Sequence, residues 1–364
     1  MHNLSFNNIF NREPRYKRAN KQDRFVRNTT NTVLAVTKYS TESRYERMLK
    51  RRIETAPYKI LDAPGIIDDY YLNILDWSEN NHISIALSDT VYAYNVENKK
   101  VEEIYTSEND QYVSSVKSHN NILALGVSNG KIYFYDMNTF KYMGEVKTHE
   151  VRVAALAWND NILSCGAKDG TITNIDIRSF KPTNIYTSHT QEVCGLEWSK
   201  DKRFLASGGN DNLINIHQLT HNIPRCTLNE HRSAVKALAW CPWRNNILVS
   251  GGGSKDKTIR FWDILDRKLE KSIDVDSQVT GLKFSCKYKE LISTHGYANN
   301  NICLWKASSM QMISSFGNHD ARVISTAISP DGRELATVAP DENLKFWKLY
   351  DKPESVACTT FGFR

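Results

Sequence analysis

Apolar and polar positions alternate along this chain in short runs, and the runs recur. The clearest are Val91-Tyr92-Ala93-Tyr94, Ile132-Tyr133-Phe134-Tyr135-Asp136, Ile172-Thr173-Asn174-Ile175-Asp176, Ile214-Asn215-Ile216-His217, Ile259-Arg260-Phe261-Trp262-Asp263, Ile302-Cys303-Leu304-Trp305 and Leu344-Lys345-Phe346-Trp347. Each has the length of a strand and the β-branched and aromatic content that strands favour. Taking Tyr94, Tyr135, Ile175, His217, Trp262, Trp305 and Trp347 as equivalent, the spacing is 40 to 45 residues. A second series has nearly the same period. Apolar runs end at Trp77, Lys117, Trp158, Trp198, Trp240, Phe284 and Ile328, spaced by 40 to 44 residues. Lys117 and Ile328 break the aromatic pattern, which predicts different packing in the second and seventh units.

Turn residues precede several closing strands: Asn129-Gly130, Lys168-Asp169-Gly170, Asn210-Asp211-Asn212 and Lys255-Asp256-Lys257. Asn, Asp and Gly suit tight hairpins because they tolerate positive φ. Two strand series and a turn series on one period predict a repeated four-stranded unit. The period is that of WD repeats, one propeller blade per unit. The expected fold is all-β, a seven-bladed WD-repeat β-propeller. Its blades are expected over residues 57–350, after a disordered basic tail (1–56) and before a C-terminal tail (351–364). Alternation around Ile60 predicts one more strand, able to complete the last blade and remove an open sheet edge. A rigid disc with loops on its faces predicts recognition rather than chemistry.

His149, His189, His231 and His319 each stand four residues before a strand-opening Val. A metal or catalytic role needs them together, and four blades hold them apart. The favoured reading is a buried His bonded to the turn Asp of its own blade. No catalytic residue, metal site or cofactor is expected. Gly251-Gly252-Gly253 follows a strand but opens no helix, which argues against a phosphate loop.

Composition adds little to the fold and more to the setting. The seven cysteines among 364 residues include no Cys-x-x-Cys pair. They read as reduced thiols, mostly core residues at strand positions, in the nucleus and cytoplasm. No apolar run approaches the length of a membrane-spanning helix, and the Met1–Ser5 start does not resemble a secretory signal. Charge is uneven. Residues 1–56 carry 13 Lys/Arg and 5 Asp/Glu, and the rest carries 34 and 36, so the net +6 comes from the tail. A basic tail suits nucleic acid, an anionic membrane or an acidic protein surface. It has neither interleaved aromatics nor a continuous basic block, so no nucleic-acid or membrane partner is assigned.

Residues 1–40 are polar with little apolar periodicity, as in disordered segments. In residues 41–53, Tyr45, Met48, Leu49 and Ile53 share one helical face. Asp23-Arg24-Phe25-Val26-Arg27 sets an aromatic–aliphatic pair between charges, the form of a short linear motif.

These segments together resemble the Fizzy family, the WD-repeat activators of the anaphase-promoting complex, a multisubunit ubiquitin ligase acting in mitosis. The resemblance runs from about Asp23 to the C-terminus. Its most specific stretches are Ile60-Leu61-Asp62-Ala63-Pro64 with Asp69-Tyr70-Tyr71-Leu72-Asn73, Gln191-Glu192-Val193-Cys194-Gly195-Leu196, Gly208-Gly209-Asn210-Asp211-Asn212, Ala239-Trp240-Cys241-Pro242-Trp243 with Gly251-Gly252-Gly253, and Tyr288-Lys289-Glu290-Leu291-Ile292-Ser293. Tyr70-Tyr71 and Cys241-Pro242-Trp243 are closer to the mitotic Fizzy branch than to the Fizzy-related one.

The resemblance implies a non-enzymatic module that reads degrons. Asp62 and Glu342, with Leu61 beside them, match the positions that bind a destruction box (Arg-x-x-Leu), the carboxylates clamping its Arg. Asp62 lies at the propeller entry and Glu342 in the last blade, at the seam between blades one and seven where the ring closes. Asp69, Asn210, Asn212, Ser254, Gln278 and Arg322 match the positions that read a Lys-Glu-Asn box: Asp69 for its Lys, Arg322 for its Glu, amides for its Asn. Ser254 stands where relatives carry Thr.

Asp23, Arg24, Phe25, Val26 and Arg27 resemble the C-box that docks on the ligase core, although Arg27 and Asn28 follow Val26 where the family has Pro and a later Arg. The terminal Phe363-Arg364 resembles the family's Ile-Arg tail. The implied partners are anaphase-promoting complex subunits and degron-bearing substrates such as cyclins and securin-like proteins. Spindle-checkpoint proteins stay open as partners, because no Lys-Ile-Leu-Arg type segment lies between Arg27 and Pro57. The competing reading is a WD-repeat scaffold subunit of an RNA-processing or trafficking complex. A propeller enzyme is the third.

Overall fold

In each repeat, side-chain character changes from the innermost strand to the outermost, and this gradient builds a blade. The third repeat starts with Val153–Asn159, whose side chains are nearly all buried. The outermost strand of the second repeat, Tyr142–Lys147, is mostly exposed. A strand buried on both faces must be apolar or small throughout, whereas a rim strand carries charge. The computed structural model describes residues 53–107, 110–317 and 319–350. They form seven antiparallel sheets of four strands, as the two strand series predict. The expected C-box (23–27), nearly all of the helical segment (41–53) and the terminal Phe363-Arg364 lie outside the described residues.

Six blades take their four strands consecutively. Blade seven does not: its order is Lys59–Asp62, Asn343–Lys348, Glu334–Ala339, Ser325–Ile328. Lys59 pairs with Phe346 and Asp62 with Asn343. The strand that precedes blade one therefore forms the outer edge of blade seven. This is the expected latch, and it ties the two ends of the ring by backbone hydrogen bonds.

The predicted turns carry the expected strain. Gly130, Gly170, Asn212 and Lys257 all have positive φ. At Gly130 a Cβ would overlap the backbone of His149, so glycine is required there by space as well as by φ. Lys257 is the exception in type, a lysine in a region that L side chains rarely adopt.

The aromatic series sits near the ends of the innermost strands, where it links blades. Trp158 Nε1 donates to the Lys117 carbonyl of the preceding blade at 3.1 Å, and Trp240 Nε1 to the Glu197 carbonyl at 2.9 Å. Lys117, which breaks the series, makes an ion pair instead. Its ammonium lies 2.6 Å from Asp76 Oδ1 of blade one, and Ser118 N donates to the other carboxylate oxygen. The link between blades survives with different chemistry. Cys165, Cys194, Cys241 and Cys303 are buried thiols, whereas Cys286 is exposed in the turn after its strand.

The recurrent histidines are structural. His189 Nδ1 lies 3.0 Å from Asp211, His319 Nδ1 lies 2.8 Å from Asp341, and His231 bonds Asp256. His149 departs from the pattern: Asp169 is 3.9 Å away and its Nδ1 meets Thr171 Oγ1 at 3.0 Å. In blades five and seven the chain of bonds ends on a tryptophan. Trp262 Nε1 donates to Ser250 Oγ and Trp347 Nε1 to Thr337 Oγ1, the hydroxyls that also meet His231 and His319. In blade four His217 takes the tryptophan's place on Ser207.

Burial pushes the His217 imidazole down to about 3 and that of His295 down to about 4. The unfolded chain protonates both near pH 6.5, while the folded chain keeps them neutral. Below that pH the unfolded state binds more protons, so stability falls as the pH drops. The expected loss is about 1 kcal/mol per histidine at pH 5.5. Thermal melts at pH 7.5 and 5.5 should show a lower midpoint at pH 5.5; a midpoint that does not move excludes this coupling.

Candidate functional site

The segment between the latch strand and blade one crosses the face of the ring on which the innermost strands begin. Its polar atoms reach blade after blade. Asn73 N donates to Ser114 O of blade two at 3.0 Å, and Asn73 Nδ2 to Ala154 O of blade three and Cys194 O of blade four, at 2.7 and 3.0 Å. Lys236 Nζ of blade five donates to Leu72 O at 2.7 Å and to Ile324 O of blade seven at 2.6 Å. Tyr70 OH donates to Val279 O of blade six at 3.1 Å. Leu72 and Tyr70 are buried beneath. The innermost strands leave edge carbonyls without ladder partners, which Asn73 and Tyr70 of the strap satisfy, while Lys236 satisfies the strap's own Leu72 carbonyl. Burial pushes the Lys236 ammonium down to about 7.

This strap forms one wall of a concavity of about 680 Å³. Asp69, Asn210, Asn212, Ser254, Gln278 and Arg322, separated by up to 253 residues in sequence, all line it. The Asp69 carboxylate is already engaged. Arg152 Nη1 lies 2.6 Å from its Oδ2, and the same guanidinium grips Glu192 through Nε and Nη2 at 2.6 and 2.7 Å. Two-pronged pairing of this kind fixes direction as well as charge. Arg322 is engaged too, with Nε 2.7 Å from Asp68 Oδ1 and Nη2 2.9 Å from Asp68 O. Asn210 Oδ1 accepts from Tyr71 OH at 2.7 Å, and its Nδ2 donates to Gln191 Oε1 at 2.8 Å. Gln278 is different. Its side-chain oxygen is buried and has no donor among the described residues. A buried acceptor without a donor is costly, and a ligand N–H would relieve it.

Sequence reasoning missed Asp68, Arg152, Arg232 and Lys255 here. The Asp68-Asp69 doublet was the one visible signal, since adjacent carboxylates need two cations. Arg152 and Arg232 had no marker, because a cation in a loop between blades resembles any solvated charge, and Lys255 was visible only as part of a blade-five turn.

The second set lies on the latch. Asp62 and Glu342 belong to the same blade, not to two blades meeting at a seam: Ala63 N donates to Glu342 O at 2.8 Å and Gly65 N to Glu342 Oε1 at 3.2 Å. Glu342 itself has φ 59°, the turn conformation that opens the last strand. Asp62 is exposed, and among the described residues its side chain has no ion-pair or hydrogen-bond partner. Leu61 lies opposite Leu344 and packs against the core of blades one and seven. The geometry is two carboxylates at one sheet edge beside a leucine.

Comparison with known proteins follows this architecture. The model of the CDC20/Fizzy WD40 domain matches residues 61–347. WD repeat-containing protein slp1 of Schizosaccharomyces pombe is 44% identical over 83% of this chain and 63% of its own length. Anaphase-promoting complex subunit cdc20 of Dictyostelium discoideum is 43% identical over 83% of this chain and 62% of its own. Protein FIZZY-RELATED 2 of Arabidopsis thaliana is 41% identical over 84% of this chain. These figures run close together across the two branches. The chain thus spans a little under two thirds of the length of these relatives. Among solved structures, a chain of the "Crystal Structure of Mitotic Checkpoint Complex" superposes with TM-score 0.81 and 42% identity, covering 83% of this chain and 98% of that one. The matched span runs from within the latch strand to the penultimate residue of the last strand and includes both candidate sites, and the chain belongs to the CDC20/Fizzy WD40 family.

Proposed function

We propose that this protein is a substrate-recognition activator of the anaphase-promoting complex, non-enzymatic and working in the nucleus and cytoplasm. It binds Lys-Glu-Asn and destruction-box degrons of substrates such as cyclins and securin-like proteins. Residues 23–27 and 363–364 dock it on the ligase core. The observation that carries this reading is the convergence of Asp69, Asn210, Asn212, Ser254, Gln278 and Arg322 on one concavity in a chain of this family. The named relatives of the mitotic branch, and a structural neighbour from a checkpoint assembly, support the choice of partner.

The pairing in the pocket dictates how a degron enters. A ligand lysine joins Asp69 on the side away from Arg152. A ligand glutamate takes Arg322 from Asp68, exchanging one carboxylate for another, so this step gains less than binding to a free guanidinium. A ligand asparagine offers its N–H to the unpaired Gln278 oxygen. Asp62 and Glu342 take the arginine of a destruction box, and Leu61 lies beside its apolar positions.

The test is ubiquitination of a Lys-Glu-Asn-bearing substrate by anaphase-promoting complex freed of its own activator. Adding this chain is expected to start modification, and Arg322→Ala is expected to slow it about tenfold at limiting substrate. No modification with the unaltered chain overturns the proposal.

A further inference from the structure

The walls of the Lys-Glu-Asn pocket are not balanced in charge. Its two carboxylates, Asp68 and Asp69, are each matched to a guanidinium, Arg322 and Arg152. Arg152 is matched a second time by Glu192. Two further cations line the same concavity, Arg232 and Lys255. Both are exposed, and among the described residues neither side chain has an ion-pair or hydrogen-bond partner.

These two cations are held together by the fold of blade five. Arg232 follows His231, and Lys255 precedes Asp256. His231 bonds Asp256 through one ring nitrogen and Ser250 Oγ, at 2.6 Å, through the other. Both partners of that connection are buried, with His231 and Asp256 exposed by only 5% and 9%. The buried pair therefore clips the two loops to each other, and the next residue on each loop turns outward to the rim. Like charges held at one rim without a counter-ion repel, and an incoming anion relieves that repulsion. Lys255 is also the neighbour of Ser254, which lines the pocket with Asn210 and Asn212 on the amide-reading side.

We propose that Arg232 and Lys255 select peptides carrying an anionic side chain, carboxylate or phosphate, within the two residues that follow the motif's asparagine. This rests on the pocket reading above and adds a substrate class to it. Asparagine is the last residue of the motif and faces the amide side, so the chain leaving it passes the blade-five rim. Acidic flanks would favour a substrate at all times, whereas a phosphorylated flank would do so only after a kinase has acted.

Fluorescence anisotropy with the full chain tests this. Four labelled peptides share one Lys-Glu-Asn core: Gln after the asparagine, Glu after it, phosphoserine after it, and Glu placed before the lysine instead. The Glu-after peptide is expected to bind about 5-fold more tightly than the Gln peptide, and phosphoserine more tightly still. Glu before the lysine should gain less than about 2-fold, which separates the rim from general attraction to a cationic protein. In the Arg232→Gln/Lys255→Ser double variant, all peptides should bind with the affinity of the Gln peptide. Binding of the Gln peptide without discrimination among flanks overturns this inference and leaves the pocket reading standing. Failure of every peptide to bind overturns both. A gain that persists in the double variant assigns the effect to other residues and overturns the inference as well.

Discussion

Replacing Asp62 with alanine is expected to weaken binding of a destruction-box peptide by about 10- to 100-fold and to leave the propeller folded. The two halves of that expectation have separate causes. The side chain is exposed and has no partner in the folded chain, so its removal strands nothing inside the protein. The backbone at Asp62 keeps its pairing with Asn343, because those bonds do not involve the side chain. What is lost is a charge-assisted acceptor for a guanidinium, about 1.5–3 kcal/mol. Glu342, whose carboxylate is partly occupied by the Gly65 amide, remains and accounts for the binding that survives. Titration of a labelled Arg-x-x-Leu peptide, with a thermal melt of the same variant, checks both halves. Unchanged affinity removes Asp62 from the site. A large fall in melting temperature means the residue serves the latch instead.

A larger loss of stability is expected from Trp347→Ala, about 3–5 kcal/mol. Trp347 is fully buried in blade seven. It stacks edge-on with Phe316 of blade six at 5.9 Å and lies against His319 at 6.5 Å. Its Nε1 donates to Thr337 Oγ1 at 2.8 Å, the hydroxyl that also meets His319 Nε2. Truncation leaves a cavity the size of an indole and removes a donor from that hydroxyl. The effect should reach beyond one blade, because blade seven closes the ring through the latch strand. Denaturant unfolding with tryptophan fluorescence from the other blades provides the measurement. A loss under about 1 kcal/mol would mean that the site refills. His319→Ala, which breaks the same chain of bonds but removes less volume, should cost less.

The two experiments probe features that were unequally visible in the sequence. Trp347 is part of the repeat itself, and its burial was readable from period and composition. Asp62 is not required by a propeller at all. It stood out through the stretch Ile60–Pro64 and the resemblance that stretch carries. The same holds for Asn210 and Asn212, where turn geometry would have been reason enough for their types. The turn reading and the pocket reading are compatible: Asn212 has φ 68° and also lines the concavity.

What the sequence left out was pairing. The break at Lys117 marks different packing, as its place in the series predicts, but its partner Asp76 on blade one was not readable from the series. Asp69 and Arg322 match the positions that read a Lys and a Glu, and nothing local showed that Arg152 and Asp68 already hold them. Asp62 and Glu342 read as facing each other across a seam, yet backbone pairing puts both on one blade.

By itself the sequence determined the all-β class, the seven blades, the latch before blade one and the positions to compare with a family. The blades follow from order along the chain, because within a blade a strand's partner is its neighbour in sequence; the latch, whose partner Asn343–Lys348 lies at the far end of the chain, follows from the open edge that a closed ring must cover. Only the tertiary structure decided which charges are spent and which are available. Arg152, Asp69 and Glu192 meet across 123 residues, and Asp68 and Arg322 across 254. Coulomb energy depends on distance in space, and a ring brings together loops that no local pattern relates. The structure thus leaves Arg232 and Lys255 as the pocket's unpaired cations among the described residues.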